Sequence, residues 1–294
     1  MTIRPRRSVL YMPGSNTRAL EKARGLDADG VILDLEDAVA PDAKAEARER
    51  IVEAIAAGGY GSREVVVRIN ALDSEWGADD IAALAAVALD AILVPKVDDG
   101  PAVEKASRAL DRAGVAPSVG LWAMMETPRA VLNAQAIAET RAHTRLVAWV
   151  MGTNDLAKET TARLTPGRPA MTAWLSTCVI AARAHGLAIL DGVYNDIADE
   201  AGFRAECAQG RDFGFDGKTL IHPGQLGPCN EIFAPSAEEV ALARTIVAAF
   251  ALPENRGKGV IRVDGRMVEL LHAEMARRTV AVAEAIAGRG TGAS

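Results

Sequence analysis

Eight short apolar runs alternate with longer Ala-rich amphipathic stretches along this 294-residue chain, and that alternation constrains its fold more than anything else. The runs are SVLYM (8–12), GVILDLE (30–36), EVVVRIN (64–70), AILVPKV (91–97), VGLWAMME (119–126), LVAWVMG (146–152), LAILDGV (187–193) and GKTLIH (217–222). Between them lie AKAEARERIVEAIAAG, PAVEKASRALDRAG and TAWLSTCVIAARAHG, each ending at a Gly where a helix C-terminal cap belongs. Strands that alternate with helices build a parallel sheet, and eight of them close a (β/α)8 barrel, with an open doubly wound sheet as the rival. Past residue 235 come a helix, EEVALARTIVAAFA, a breaker-rich PENRGKG, and VIRVDGRMVELLHAEMARRTVAVAEAIA, which reads as an appended hairpin and helix. The expected organisation is a barrel over 1–234 and a C-terminal helical extension over 235–294, with the last residues, GRGTGAS, disordered.

Hydrophobic residues make up 49% of the chain, enough to bury a core without staples. A net charge of −6 and the lack of any Lys/Arg run exclude a nucleic-acid face and a membrane patch. The N-terminus lacks the apolar stretch of a signal peptide, and no apolar run approaches the roughly 18 residues of a membrane span. Cys178, Cys207 and Cys229 are widely spaced and odd in number, as expected for reduced thiols in a cytoplasmic protein.

Alternate strand residues point to the helices or into the lumen, so the apolar positions sort the faces. Val31, Leu33 and Leu35 take the outer face and leave Asp34 and Glu36 inside; Val65, Val67 and Ile69 leave Arg68 inside. The same reading puts Lys96, after Ile92 and Val94, and Glu126, after Trp122 and Met124, on the inner face. Asp155 lies just past the sixth strand, and Asp191 and Lys218 sit on the last two. These residues gather at C-terminal strand ends, where barrels carry their active sites. Their acidic surplus, with no His or Cys ligand set, points to a hard divalent cation such as Mg2+; internal salt bridges are the other reading. Arg68 suits bidentate capture of a carboxylate or phosphate, and equally a buried ion pair with Glu36 or Asp37. Arg18 and Lys22, one turn apart after the first strand, can hold an anionic tail or simply lie exposed. No nucleophile elbow, Walker loop or dinucleotide fingerprint occurs.

Taken in order, RSVLYMPGSN (7–16), GVILDLEDAVAPDAKAEAR (30–48), VVVRIN (65–70), LVPKV (93–97), MMETP (124–128), GTNDL (152–156) and GKTLIHPGQL (217–226) resemble the citrate lyase β-subunit-like group of the HpcH/HpaI aldolase superfamily, which includes malyl-CoA and citramalyl-CoA lyases. The resemblance runs from about residue 7 to about 286. It implies a barrel that assembles as a homotrimer or a hexamer of two trimers, with Mg2+ and a CoA or acyl-carrier thioester. It implies Glu126 and Asp155 as metal ligands, and Arg68 as the group that holds the carboxylate of an α-keto product. It further implies Tyr11, Arg18 and Lys22 as contacts of the CoA or acyl portion, with Asn16 where some relatives carry arginine, and Ile221 and His222 as backbone contacts of the thioester. Relatives often carry an aspartate in a G-x-M-I-D-like segment that serves a neighbouring subunit as acid/base. Here Gly265-Arg266-Met267-Val268-Glu269 puts a glutamate there, and a shift of about 1 Å in such a group can cost roughly a hundredfold in rate. The segment 158–171 is also shorter than in malyl-CoA lyases. The expected activity is Mg2+-dependent carbon–carbon cleavage of citramalyl-CoA or malyl-CoA to acetyl-CoA and pyruvate or glyoxylate, with Arg68 and Glu269 catalytic. The alternatives are a malyl-CoA thioesterase, a citryl-thioester lyase subunit acting on a carrier protein, and a non-catalytic CoA-thioester-binding protein.

Overall fold

The computed structural model of the protein describes residues 3–290. Each apolar run becomes a strand: Ser8–Pro13 (β1), Gly30–Asp34 (β2), Glu64–Arg68 (β3), Ala91–Val94 (β4), Gly120–Met125 (β5), Leu146–Met151 (β6), Ala188–Asp191 (β7) and Gly217–Leu220 (β8). Neighbours pair in parallel and β8 pairs back onto β1, so the sheet closes and the open alternative falls. The intervening helices include Lys44–Ala57 and Thr172–Ala184, and Gly58 and Gly186 just beyond them adopt φ of 66° and 67°, which residues with a Cβ rarely take.

Two apolar layers result. Val31, Leu33, Leu35, Val65, Val67 and Ile69 join the layer between barrel and helices, as alternation predicts. A second cluster, with Val9, Ile32, Val66, Leu93, Trp122 and Leu190, fills the lumen. Trp122 is fully buried; the Arg6 guanidinium lies 5.2 Å from its ring centroid and is itself held by Glu64 at 2.6 and 2.8 Å. A desolvated cation on an indole face is worth about 2 kcal/mol, and here it floors the barrel.

Alternation misplaces two charged residues, Asp191 and Lys218, and places a third, Lys96, on the correct side for the wrong reason. Ile92 and Val94 face the helices, so strict alternation would carry Lys96 outward with them. Val97 is again in the outer layer, three residues after Val94, and the parity is reset at Lys96, whose φ is 52°. A left-handed non-glycine residue costs about 1–2 kcal/mol. Lys96 therefore reaches the inner carboxylates through a strained turn, not through strand geometry. Asp191 and Lys218 share parity with Ile189 and Leu220 of the outer layer, so they point away from the lumen, contrary to expectation. They are register partners, and Lys218 Nζ donates to Asp191 Oδ2 at 2.9 Å and to Glu206 Oε1, on the helix Glu200–Phe213, at 2.7 Å. Arg168 Nη1 donates to Asp191 Oδ1 at 2.7 Å. Burial works against both charges, but the ion pairs prevail: the Lys218 pKa is raised and that of Asp191 lowered.

The chain divides into two compact units, residues 6–233 with the barrel, and residues 234–290 with the described residues that precede 6. In the second, Ser236 and Glu239 form a capping box at the start of the helix Ala237–Ala251. Strands Val260–Val263 (β9) and Arg266–Glu269 (β10) pair antiparallel across Asp264-Gly265, both at positive φ as a type I′ turn requires. Ile261, Val263 and Val268 pack with Ile246 and Phe250. The helix Leu270–Gly290 then carries through 288–290, where disorder was expected; its Ala-rich body sustains it. Residues 291–294 of that expectation lie outside the described residues. Among the described residues no helix is long and apolar enough to cross a membrane, and Cys178, Cys207 and Cys229 are free and buried.

Candidate active site

The site starts from one register position. Asp34 and Arg68 face each other across β2 and β3 at the strands' C-terminal ends. Arg68 Nε and Nη2 donate to the two Asp34 oxygens at 2.6 Å each, a bidentate pair. Asp34 also accepts the backbone N–H groups of Glu36 and Ala38 at 2.9 and 3.2 Å, which shapes the loop after β2. Arg68 Nη1 lies 2.9 Å from Glu36 Oε2 and donates to Asp37 at 3.3 Å, while the guanidinium sits 5.0 Å from the Tyr11 ring. The buried-ion-pair reading of Arg68 thus holds, with Asp34 as its main partner. Nη1, shared between Glu36 and Asp37, is the edge for which an incoming carboxylate would compete with them.

Glu126 follows β5 and is 1% exposed; its Oε1 accepts the Lys96 N–H at 2.6 Å. A Cβ on Gly152 would lie 2.3 Å from Glu126 Cβ and 2.8 Å from Oε2, so only glycine lets the loop after β6 pass this close. The next residues open the helix Thr153–Thr160, and its first turn presents Asp155, half-buried, within electrostatic reach of Glu126. Gly152 and Asp155 of GTND thus have separate jobs, close approach and a carboxylate. A cavity of about 330 Å³ results, lined by Tyr11, Arg68, Met124, Met151, Asp155 and Ile221 among others.

Asp34, Glu36, Asp37, Glu126 and Asp155 crowd around Arg68 and Lys96, the latter 3.6 Å from Glu36. Lys44 Nζ is turned to the carbonyls of Leu35 and Glu36. Even with all three cations counted against the five acids, two negative charges are uncompensated. Burial, reinforced by Glu36 and Asp155, pushes Glu126 up to about 7; burial and the nearby Asp37 push Glu36 up to about 7 as well. Such carboxyls hold protons near neutrality unless a cation replaces them. Glu126 Oε2 makes no hydrogen bond among the described residues. The donors are all oxygens, and no group of three or more His, Cys, Asp or Glu able to hold a metal occurs among the described residues. This fits Mg2+, which takes one or two carboxylates and fills its octahedron with water and substrate. Glu126 and Asp155 are the residues that would hold it.

A pH dependence follows. A carboxyl raised from 4.5 to about 7 gives stability that is fully present below 4.5 and lost as the pH rises through 7. A divalent cation takes over that role only after the proton leaves. Mg2+ binding is expected to be about tenfold tighter at pH 8 than at pH 6 for one such group, read as a larger melting-temperature rise at pH 8. Equal rises at both pH values would show that no such carboxyl meets the ion.

Other residues implied by the resemblance divide. Tyr11 and Ile221 line the cavity, and burial raises the Tyr11 hydroxyl above its usual range, so the phenol stays neutral. Arg18 and Lys22 lie exposed on the helix Thr17–Ala23, form no ion pair among the described residues and do not line the cavity. Asn16 caps that helix, accepting the Ala19 N–H at 3.1 Å. His222 is also outside the lining and caps the turn Pro223–Gln225, its Nδ1 accepting the Gly224 N–H. The N–H groups of Ile221 and His222 donate to Gln225 Oε1 at 3.1 and 3.2 Å, and the His222 carbonyl accepts the Gln225 N–H at 3.0 Å, so most of this backbone is committed within its own turn. Glu269 ends the hairpin, exposed, its own N–H donating to His272 Nδ1 at 3.0 Å. Sequence reasoning missed Thr219, which lines the cavity between two outward residues and is findable by parity alone. It also missed Asn154 and Asn195, whose side-chain amides bond reciprocally at 3.1 and 2.7 Å across 41 residues, a pairing with no local signal.

Residues 7–223 match the HpcH/HpaI aldolase/citrate lyase family. The chain is 54% identical over 286 residues to a (3S)-malyl-CoA thioesterase of Cereibacter sphaeroides, a match that covers 97% of each chain. It is 36% identical over 307 residues to the L-malyl-CoA/beta-methylmalyl-CoA lyase of the same species, covering 96% of each. Among solved structures, protein CitE from Mycobacterium tuberculosis, in complex with magnesium, acetoacetate and coenzyme A, is 31% identical with a TM-score of 0.73, over 94% of this chain and 97% of that one. Matches of this extent, over a barrel whose strand ends carry the site, mean that the chain belongs to the HpcH/HpaI aldolase/citrate lyase family.

Proposed function

We propose that the protein hydrolyses the thioester of a (3S)-malyl-CoA-type substrate, releasing the free hydroxy acid and CoA, with Mg2+ at Glu126 and Asp155. One observation carries this over the carbon–carbon cleavage expected from sequence. The thioesterase and the lyase come from one species, and the chain is 54% identical to the first and 36% to the second. Bound Mg2+ would polarise and orient the hydroxy-acid end of the substrate. Arg68 Nη1 would take the substrate carboxylate, and the cavity walls of Met124, Met151 and Val193 would exclude bulk water around the acyl chain.

The two reactions differ in which proton is removed. Cleavage takes it from the substrate hydroxyl; hydrolysis takes it from a water that adds to the thioester carbonyl, after which the C–S bond breaks and the thiolate leaves. We assign this base to Glu269 from a second copy of the chain, in a homotrimer or a hexamer, with Arg18, Lys22, Ile221 and His222 towards the CoA portion. A glutamate reaches one methylene further than the aspartate common among the lyases, which suits a target displaced from the hydroxyl. A CoA thioester as substrate would place the work in the cytoplasm.

The test is product analysis by mass spectrometry with Mg2+ and (3S)-malyl-CoA or citramalyl-CoA. Free hydroxy acid and CoA without a keto acid is the expected outcome. Acetyl-CoA with glyoxylate or pyruvate would return the reading to lyase, and no turnover of either substrate would remove both in favour of a carrier-bound substrate or a binding role.

A further inference from the structure

Lys96 pays a conformational cost that a glycine in the same turn would avoid, and what that backbone achieves is specific. Buried Pro95 and Val97 pin the turn on both sides. Its N–H meets Glu126 Oε1 at 2.6 Å, and its ammonium stands 3.6 Å from Glu36 Oε1. Glu126, Asp37 and Asp155 also lie within its electrostatic reach. The other two cations nearby are committed, Arg68 to Asp34 and Lys44 to two backbone carbonyls. The Lys96 side chain is 56% exposed and free to swing.

We propose that Lys96 is a positioning residue: its left-handed backbone aims Glu126, and its ammonium is a tethered counter-charge that competes with a divalent cation for Glu36, Glu126 and Asp155. The inference rests on the reading that Glu126 and Asp155 hold such a cation. Before the ion arrives, the ammonium makes the crowded carboxylates tolerable. Once the ion is bound, like charges oppose each other, and the hold on the metal is weaker than the carboxylates alone would give.

The experiment is a Mn2+ titration of the intact protein, without substrate, followed by the electron paramagnetic resonance signal of free Mn2+. Lys96→Met and Lys96→Gly are expected to bind Mn2+ on the order of tenfold tighter than the wild type, and Lys96→Arg within about threefold of it. Lys96→Val, equally uncharged but β-branched and ill-suited to positive φ, is expected to bind several-fold more weakly than Lys96→Met, because Glu126 loses its N–H. Unchanged or weaker binding in Lys96→Met and Lys96→Gly overturns the counter-charge, and Lys96→Val matching Lys96→Met overturns the backbone role. If wild type and Glu126→Gln bind Mn2+ equally, the metal reading itself falls and this inference with it; if they differ while Lys96→Met matches wild type, only the Lys96 inference falls.

Discussion

Glu126→Gln is expected to reduce turnover by on the order of a thousandfold or more, the scale of removing a main electrostatic element of a buried site. The substitution is nearly isosteric. Its amide oxygen can still accept the Lys96 N–H, and the space beneath Gly152 is unchanged. What goes is one charge, on the residue that burial, reinforced by Glu36 and Asp155, already pushes up to about 7. Loss of activity should therefore come with two signs that a merely damaged fold would not give. The melting-temperature rise on adding Mg2+ should disappear. Without Mg2+ at pH 8 the variant should melt above the wild type, since it no longer buries an ionised carboxylate there. Activity within tenfold of wild type would mean that Glu126 is not a metal ligand.

Lys218→Met is expected to destabilise the barrel by about 3–5 kcal/mol, because it leaves Arg168 alone against the two carboxylates of Asp191 and Glu206 in a buried network. In a chain of this size that corresponds to a fall of roughly 10 °C in melting temperature. Adding Asp191→Asn should return part of the loss, since the pair is then removed together rather than broken. Turnover well below the melting point should stay within about threefold, as both residues face the helix Glu200–Phe213 and not the lumen. A variant that melts like the wild type yet is inactive would put Lys218 back among the residues of the reaction.

The contrast between these two residues shows what a linear reading can recover. Glu126 and Arg68 are legible because they sit beside alternating apolar neighbours whose parity fixes the direction of each side chain, whereas Tyr11 enters only through the family resemblance. Asp191 and Lys218 mislead because a buried charge on an outward position is rare unless its partners come from elsewhere in the chain. Arg168 and Glu206 supply them from a loop and a helix that no periodicity ties to β7 or β8. Lys96 shows a different limit, since a single left-handed residue reverses parity without leaving a mark in composition. The barrel itself was the easiest part to read, as eight strands of matched length alternating with helices leave few other ways to close a sheet.

The floor made by Arg6 on Trp122 carries a last consequence. With the lumen packed from Val9 to Leu190 and sealed beneath, the cavity is a well and not a tunnel. Whatever settles against Arg68 goes in first and comes out last. If the substrate is the proposed thioester, its long carrier half, seated above, would act as a stopper for the short acid below it, so the order of departure would be set by the architecture before any residue of the reaction takes part.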